Sequence, residues 1–134
     1  MATKIFINLP VKDLEKTTDF FVNLDFRFDS LMTDDNATCM IVEENIFVMF
    51  LTNAFFQTFT HKEVLDATKG TEVILSISVD TKEEVNAFIE KAVSLGATTP
   101  NKPQDHGFMY QWGFQDLDGH LWEIIYMDPD ATMQ

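Results

Sequence analysis

The sequence predicts an α+β fold built from two tandem βαβββ modules, and three observations carry that prediction. Runs in which apolar and polar residues alternate recur along the chain, the period of strands with two unlike faces. Two stretches interrupt them with apolar residues at helical spacing. Finally, Ile5-Phe6-Ile7-Asn8-Leu9-Pro10-Val11 lies over Val73-Ile74-Leu75-Ser76-Ile77-Ser78-Val79 at one constant offset. The same offset sets Asp13 over Thr81 as helix cap and Phe20 over Phe88 in the helix core, so the chain reads as an internal duplication.

Taken in order, Lys4 to Val11 alternates and forms the first strand. Asp13 caps a helix whose stripe runs through Leu14, Thr17, Phe20, Phe21 and Leu24. Phe26 to Ser30 is a short strand, and Asp34-Asp35-Asn36 supplies a turn. Ala37 to Val42 and Ile46 to Leu51 then make a hairpin around Glu43-Glu44-Asn45. Within the connector Asn53 to Gly70, a short helix is expected over His61 to Thr68, ended by Gly70. Glu72 to Val79 alternates again, and Thr81 caps a helix through Val85, Phe88, Ile89, Ala92 and Leu95 that Gly96 terminates. Pro100 to Gly107 is a loop with room for a short edge strand. The last hairpin spans Phe108 to Tyr126 around Asp116-Leu117-Asp118-Gly119. The expected division is one domain over residues 1–134, with a first module of about 1–53, a connector of 54–70 and a second module of about 71–128.

Composition narrows the function classes. With 46% apolar residues and 13% aromatics, the chain can bury a sizeable core. A formal charge of −13 opposes nucleic acid and anionic membrane surfaces, and admits neutral or cationic partners. Cys39 is the only cysteine, so no internal disulfide can form, and a reducing cytoplasmic location is the expectation. Neither a signal-peptide core nor a membrane-spanning run is evident.

Phosphate loops and the spaced His or Cys pairs of metal motifs are missing from the sequence. Ser76 and Ser78 have no helpful histidine context, and Cys39 sits in an apolar strand as a core thiol. The conspicuous group is Glu123, a carboxylate among apolar and aromatic neighbours in the final strand, where an unpaired charge is costly. If Gln115 stands opposite His120, Glu123 faces Trp112 and shares its face with Tyr110, Phe114, Leu121 and Ile125. His106, beside Gly107 in the Pro-containing loop, is the functional candidate among the three histidines.

The segments V-K-D-L-E-K-T-T-D-F-F at Val11 to Phe21 and F-Q-D-L-D-G-H-L-W-E-I at Phe114 to Ile124, set in two βαβββ repeats, resemble the vicinal oxygen chelate superfamily. That group includes glyoxalase I, bleomycin-resistance proteins and type I extradiol dioxygenases. The second segment looks like the family's D-P-D-G-x-x-x-E, with Leu117 in place of proline, and is closest to uncharacterised lactoylglutathione lyase-like proteins. The resemblance implies curved mixed sheets around an open cup with helices outside, ligands inside, and pairing into a homodimer, in which Phe55 to Phe59 either makes a contact or packs back onto its own subunit. In catalytic members a divalent metal is held from the first and last strand of each half. Those positions fall on Phe6, Met49, Ile74 and Glu123, of which only the last can ligate a hard cation. No cofactor is therefore expected, although an atypical divalent site using His106 or His120 stays open.

The cup implied by the resemblance would be lined by Phe6, Asn8, Phe47, Met49, Ile74, Ser76, His106, Tyr110, Trp112, Phe114 and Glu123. Such a lining suits a small planar or cationic ligand, with Trp112 and Tyr110 stacking and Glu123 pairing with its charge. Glu123 keeps three readings: metal ligand, general base or ligand anchor, and satisfied structural acid accepting from Trp112, Tyr110, Ser76 or Asn8. Three functions follow: a binding or sequestering protein, a lyase or isomerase without metal or with an atypical one, and a structural or regulatory dimer without ligand.

Overall fold

A computed structural model describes residues 3–130 of the chain. Two compact units emerge, with the division falling between Leu65 and Asp66. In the first, strand β1 (Ile5–Val11) leads to helix α1 (Leu14–Val22), and strands β2 (Arg27–Asp29), β3 (Ala37–Glu43) and β4 (Ile46–Thr52) follow. Their sheet has the order β1-β4-β3-β2, with β1 parallel to β4 and the remaining pairs antiparallel. A five-residue helix, α2 (Asn53–Gln57), closes this half. The second unit repeats the plan with β5 (Ile74–Val79), α3 (Lys82–Ser94), β6 (Gln104–Asp105), β7 (Met109–Gln115) and β8 (Leu121–Met127) in the order β5-β8-β7-β6. Two four-stranded mixed sheets with helices, neither of them closed, give the α+β class and the tandem βαβββ modules.

The duplication is visible in atomic detail. Asp13 accepts a hydrogen bond from the Lys16 backbone N–H, and Thr81 accepts one from that of Glu84, so the aligned residues cap both helices alike. Gly96 follows the end of α3 at φ 110°, a left-handed backbone that glycine adopts without strain. Leu9, Val11, Val48 and Phe50 are buried together with Phe20 and Phe21 of α1, and Phe21 and Phe50 stack at 5.0 Å. In the second unit Phe114, Trp122 and Ile124 are likewise buried with Val85, Ile89 and Ala92 of α3. Each such large side chain contributes about 1.5–3 kcal/mol on burial.

One expected element does not form. His61 to Thr68 is irregular, and the connector's helix is instead α2, capped by Thr52 accepting from the Phe55 N–H. The Asp66 side chain explains part of this. It accepts from the Thr68 backbone N–H and hydroxyl, a local turn that competes with helical bonding.

Candidate functional site

Parallel pairing fixes the rows of each sheet. In unit 1 Phe6 stands beside Phe47 and Asn8 beside Met49, while in unit 2 Ile74 stands beside Leu121 and Ser76 beside Glu123. By register, Met49 holds in unit 1 the place that Glu123 holds in unit 2. All these residues lie on the sheet face opposite α1 or α3, because strands alternate and their neighbours in sequence pack on the helices. Phe6 and Phe47 stack at 4.8 Å, and the Lys4 ammonium lies 5.7 Å from the Phe47 ring.

The last hairpin corrects one expectation. Gln115 pairs with Leu121, so Glu123 faces Gly113 instead of Trp112. The cause is the turn. The Asp116 N–H donates to the His120 carbonyl and the Gly119 N–H to that of Asp116, leaving Leu117, Asp118 and Gly119 as a three-residue loop with Gly119 at φ 89°. Moving the register by one residue turns every side chain of one strand to the other face. Tyr110, Trp112 and Phe114 therefore point toward the α3 side, away from Glu123. Tyr110 donates its hydroxyl proton to Asn86 of α3 at 2.7 Å, and Trp112 donates its indole N–H to the Asn101 carbonyl at 2.9 Å. Phe114 is buried between Phe88 and Trp122. The register thus does not bring Trp112 and Tyr110 beside Glu123 as stacking groups, and it takes the Phe114 ring off that face as well.

Glu123 lies half-buried above Gly113. A methyl group built on Gly113 would sit 2.9 Å from the Glu123 Cδ and 2.7 Å from the Trp122 carbonyl oxygen. The missing side chain is what gives the carboxylate its place, and glycine inside a strand is the sequence signal for such close approach. Ile74, Leu121, Pro100 and Asn101 join Gly113 and Glu123 around a recess of about 60 Å³, edged by buried Phe114 and Trp122. Thr99 fixes one wall by donating its hydroxyl proton to the Gly113 carbonyl at 2.7 Å. Burial pushes the Glu123 carboxyl above its ordinary value, and among the described residues no charge or hydrogen bond opposes it. The donors offered to it in the satisfied-acid reading are committed elsewhere in the cases of Tyr110 and Trp112.

The satisfied acid of this hairpin is Asp116, which sequence reasoning assigned only to the turn. It is 7% exposed and accepts from the backbone N–H groups of Asp118 and His120 and from the Trp122 indole at 2.9 Å. Burial pushes its carboxyl up, against the pull of His120 and of those hydrogen bonds. His106 is exposed in the turn between β6 and β7, its backbone N–H bonded to the Met109 carbonyl. Cys39 pairs across the sheet with Met49 and is fully buried, and burial, then the Asp29 charge, pushes its thiol up. That favours the protonated, unreactive form.

Among the described residues no three His, Cys, Asp or Glu side chains converge on a point that could hold a metal ion. The positions that the resemblance assigns to metal ligands carry Phe6, Met49 and Ile74 besides Glu123. A phenyl ring, a thioether and an aliphatic chain do not fit a divalent cation that takes oxygen and imidazole donors. Nor is any helix among the described residues long and apolar enough to cross a membrane.

Residues 5–124 match the family model described as the Glyoxalase/Bleomycin resistance protein/Dioxygenase superfamily. A hypothetical protein from S. aureus shares the fold with a TM-score of 0.81 and 27% identity, over 94% of either chain. A glyoxalase/bleomycin resistance protein/dioxygenase family enzyme from Burkholderia phytofirmans PsJN superposes with a TM-score of 0.77 at 18% identity, covering 91% of this chain and 96% of that one. For a fosfomycin resistance protein from Listeria monocytogenes the values are 0.68 and 22%, over 99% and 96%. The last two likenesses concern the fold alone. A search of curated protein sequences finds no match.

Proposed function

The chain belongs to the glyoxalase/bleomycin resistance protein/dioxygenase superfamily, and from that premise we propose that it binds or sequesters a small planar or cationic compound, with Glu123 as its anchor. One observation carries the reading: a half-buried carboxylate in a recess, with no cation and no hydrogen-bond donor reaching it among the described residues. Leaving such a group unpaired costs free energy, and a ligand that supplies the missing partner recovers it. The acidic net charge draws cations toward the protein. On the same face of the sheets, Phe6, Asn8, Phe47, Met49, Ile74 and Ser76 belong to the proposed lining of their own units, and exposed His106 to its rim. Pairing of two copies and a cytoplasmic location, in keeping with the single reduced thiol of Cys39, are part of the same proposal.

Thermal shift against a panel of small amines and aromatic cations tests it. A hit that loses its effect in Glu123→Ala supports the anchor, and a hit that binds this variant equally well removes it. Stoichiometric zinc, nickel, iron or manganese in protein purified without a chelating tag would overturn the metal-free reading.

A second reading draws on the raised Glu123 carboxyl. A carboxylate with increased proton affinity suits a general base that removes a proton from carbon, as in a lyase or isomerase. Turnover abolished in Glu123→Gln while ligand binding persists would select this reading over the first.

A further inference from the structure

The recess of unit 2 narrows the ligand class, an inference that rests on Glu123 being the anchor. Its walls near the carboxylate are mainly aliphatic, formed by Ile74, Leu121 and Pro100, with the amide-bearing Asn101 beside them. Every aromatic ring of β7 and β8 in this neighbourhood is withheld. Phe114 and Trp122 are 1% and 2% exposed and stacked with each other. Tyr110 and Trp112 lie on the opposite face, their polar atoms bonded to Asn86 and Asn101. A planar ligand would therefore find no ring in unit 2 to stack upon beside Glu123. Room is short as well: about 60 Å³ is well below the roughly 300–1,000 Å³ of sites that take drug-sized molecules. No Lys or Arg lines the recess, so an anion has no partner there.

The geometry points to a compact aliphatic ammonium, a protonated primary amine on a short alkyl chain, as the group this recess receives. The ammonium pairs with the Glu123 carboxylate above Gly113, and the methylene groups next to it rest against Ile74, Leu121 and Pro100. Asn101, an exposed residue of the lining, meets substituents further out.

Three probes separate this class from its neighbours in a titration of isotope-labelled full chain followed by NMR: n-butylammonium, neutral 1-butanol and planar benzamidinium. Saturable shifts of the Gly113, Leu121 and Glu123 amides are expected with n-butylammonium, at an affinity at least tenfold above that of the other two. Glu123→Gln, nearly the same size, should weaken n-butylammonium at least tenfold while the rest of the spectrum stays in place. Tighter binding of benzamidinium that still depends on Glu123 would overturn the aliphatic assignment and leave the anchor standing. If neither cation shifts these amides, or both bind Glu123→Gln unchanged, the anchor reading falls together with this one.

Discussion

The two hairpins that end the modules, β3–β4 and β7–β8, have the same pairing plan and different polar contents. At matching places unit 1 carries Asn8, Met49 and Cys39 across three strands, and unit 2 carries Ser76, Glu123 and Gly113. Cys39 is fully buried beside a thioether, whereas Gly113 leaves its space to a carboxylate. Their turns differ too. Glu43 and Glu44 are exposed, and the Glu43 side chain accepts from the next backbone N–H. Asp116 is buried and gathers three donors. The fold needs only strand pairing and a helix-side core, which both halves possess. Among the described residues the two carboxyls that burial pushes up, Asp116 and Glu123, both lie in unit 2, and the chemistry should be sought there.

The sharpest break of this comparison is Asp116→Ala. It leaves the buried Trp122 indole N–H and two backbone N–H groups without their acceptor. A loss of about 3 kcal/mol in unfolding free energy is expected by chemical denaturation. Glu44→Ala, at the exposed turn of the other hairpin, should change it by less than about 0.5 kcal/mol. Equal effects of the two would show that the turns are equivalent after all.

Gly113→Ala comes next, at about 2 kcal/mol, because the added methyl meets the Trp122 carbonyl oxygen and the Glu123 carboxyl. Removing that carboxyl as well, in the pair Gly113→Ala with Glu123→Ala, should recover part of the loss. The part due to the backbone oxygen remains. Additive effects in this double-mutant cycle would mean that the glycine does not serve Glu123.

Much of this was legible in the sequence, and the exceptions have physical causes. Alternation and the constant offset found both modules, and the caps at Asp13 and Thr81 hold as expected. The position of Met49 could be matched to Glu123 because both depend on counting from a turn along a regular strand. What failed was parity. By sequence the D-L-D-G segment makes a four-residue loop, while the Asp116 backbone bonds back to His120 and shortens it to three. That single residue moves Tyr110, Trp112 and Phe114 off the face of Glu123. The role of Asp116 was hidden for a related reason, since a turn aspartate and a buried hub look alike until the Trp122 indole is placed. In the connector, helical propensity over His61 to Thr68 yields to the Asp66 turn.

Trp112→Phe measures a smaller effect. It removes the bond to the Asn101 carbonyl at an exposed position, so a loss of about 1 kcal/mol is expected from denaturation curves. The Asn101 wall of the recess should loosen at the same time, read as faster amide exchange between Thr99 and Asn101. Unchanged exchange would detach Trp112 from the site altogether.

The smallest effect is that of Glu123→Gln on stability, and its sign depends on pH. Burial raises the Glu123 carboxyl in the folded protein above its value in the unfolded chain, about 4.3. The folded state then binds the proton more tightly than the unfolded state. The stability this supplies is fully present below the unfolded value and is lost as pH rises through the folded one. Glutamine carries no charge to desolvate, so the variant should match or slightly exceed the natural protein at pH 7, within about 0.5 kcal/mol given a half-exposed group. That advantage should vanish toward pH 4. Melting temperatures of both proteins across this range decide the matter. A variant that is less stable at pH 7 and recovers on acidification would mean that Glu123 already has a partner in the folded chain, and that unit 2 resembles unit 1 more than their sequences imply.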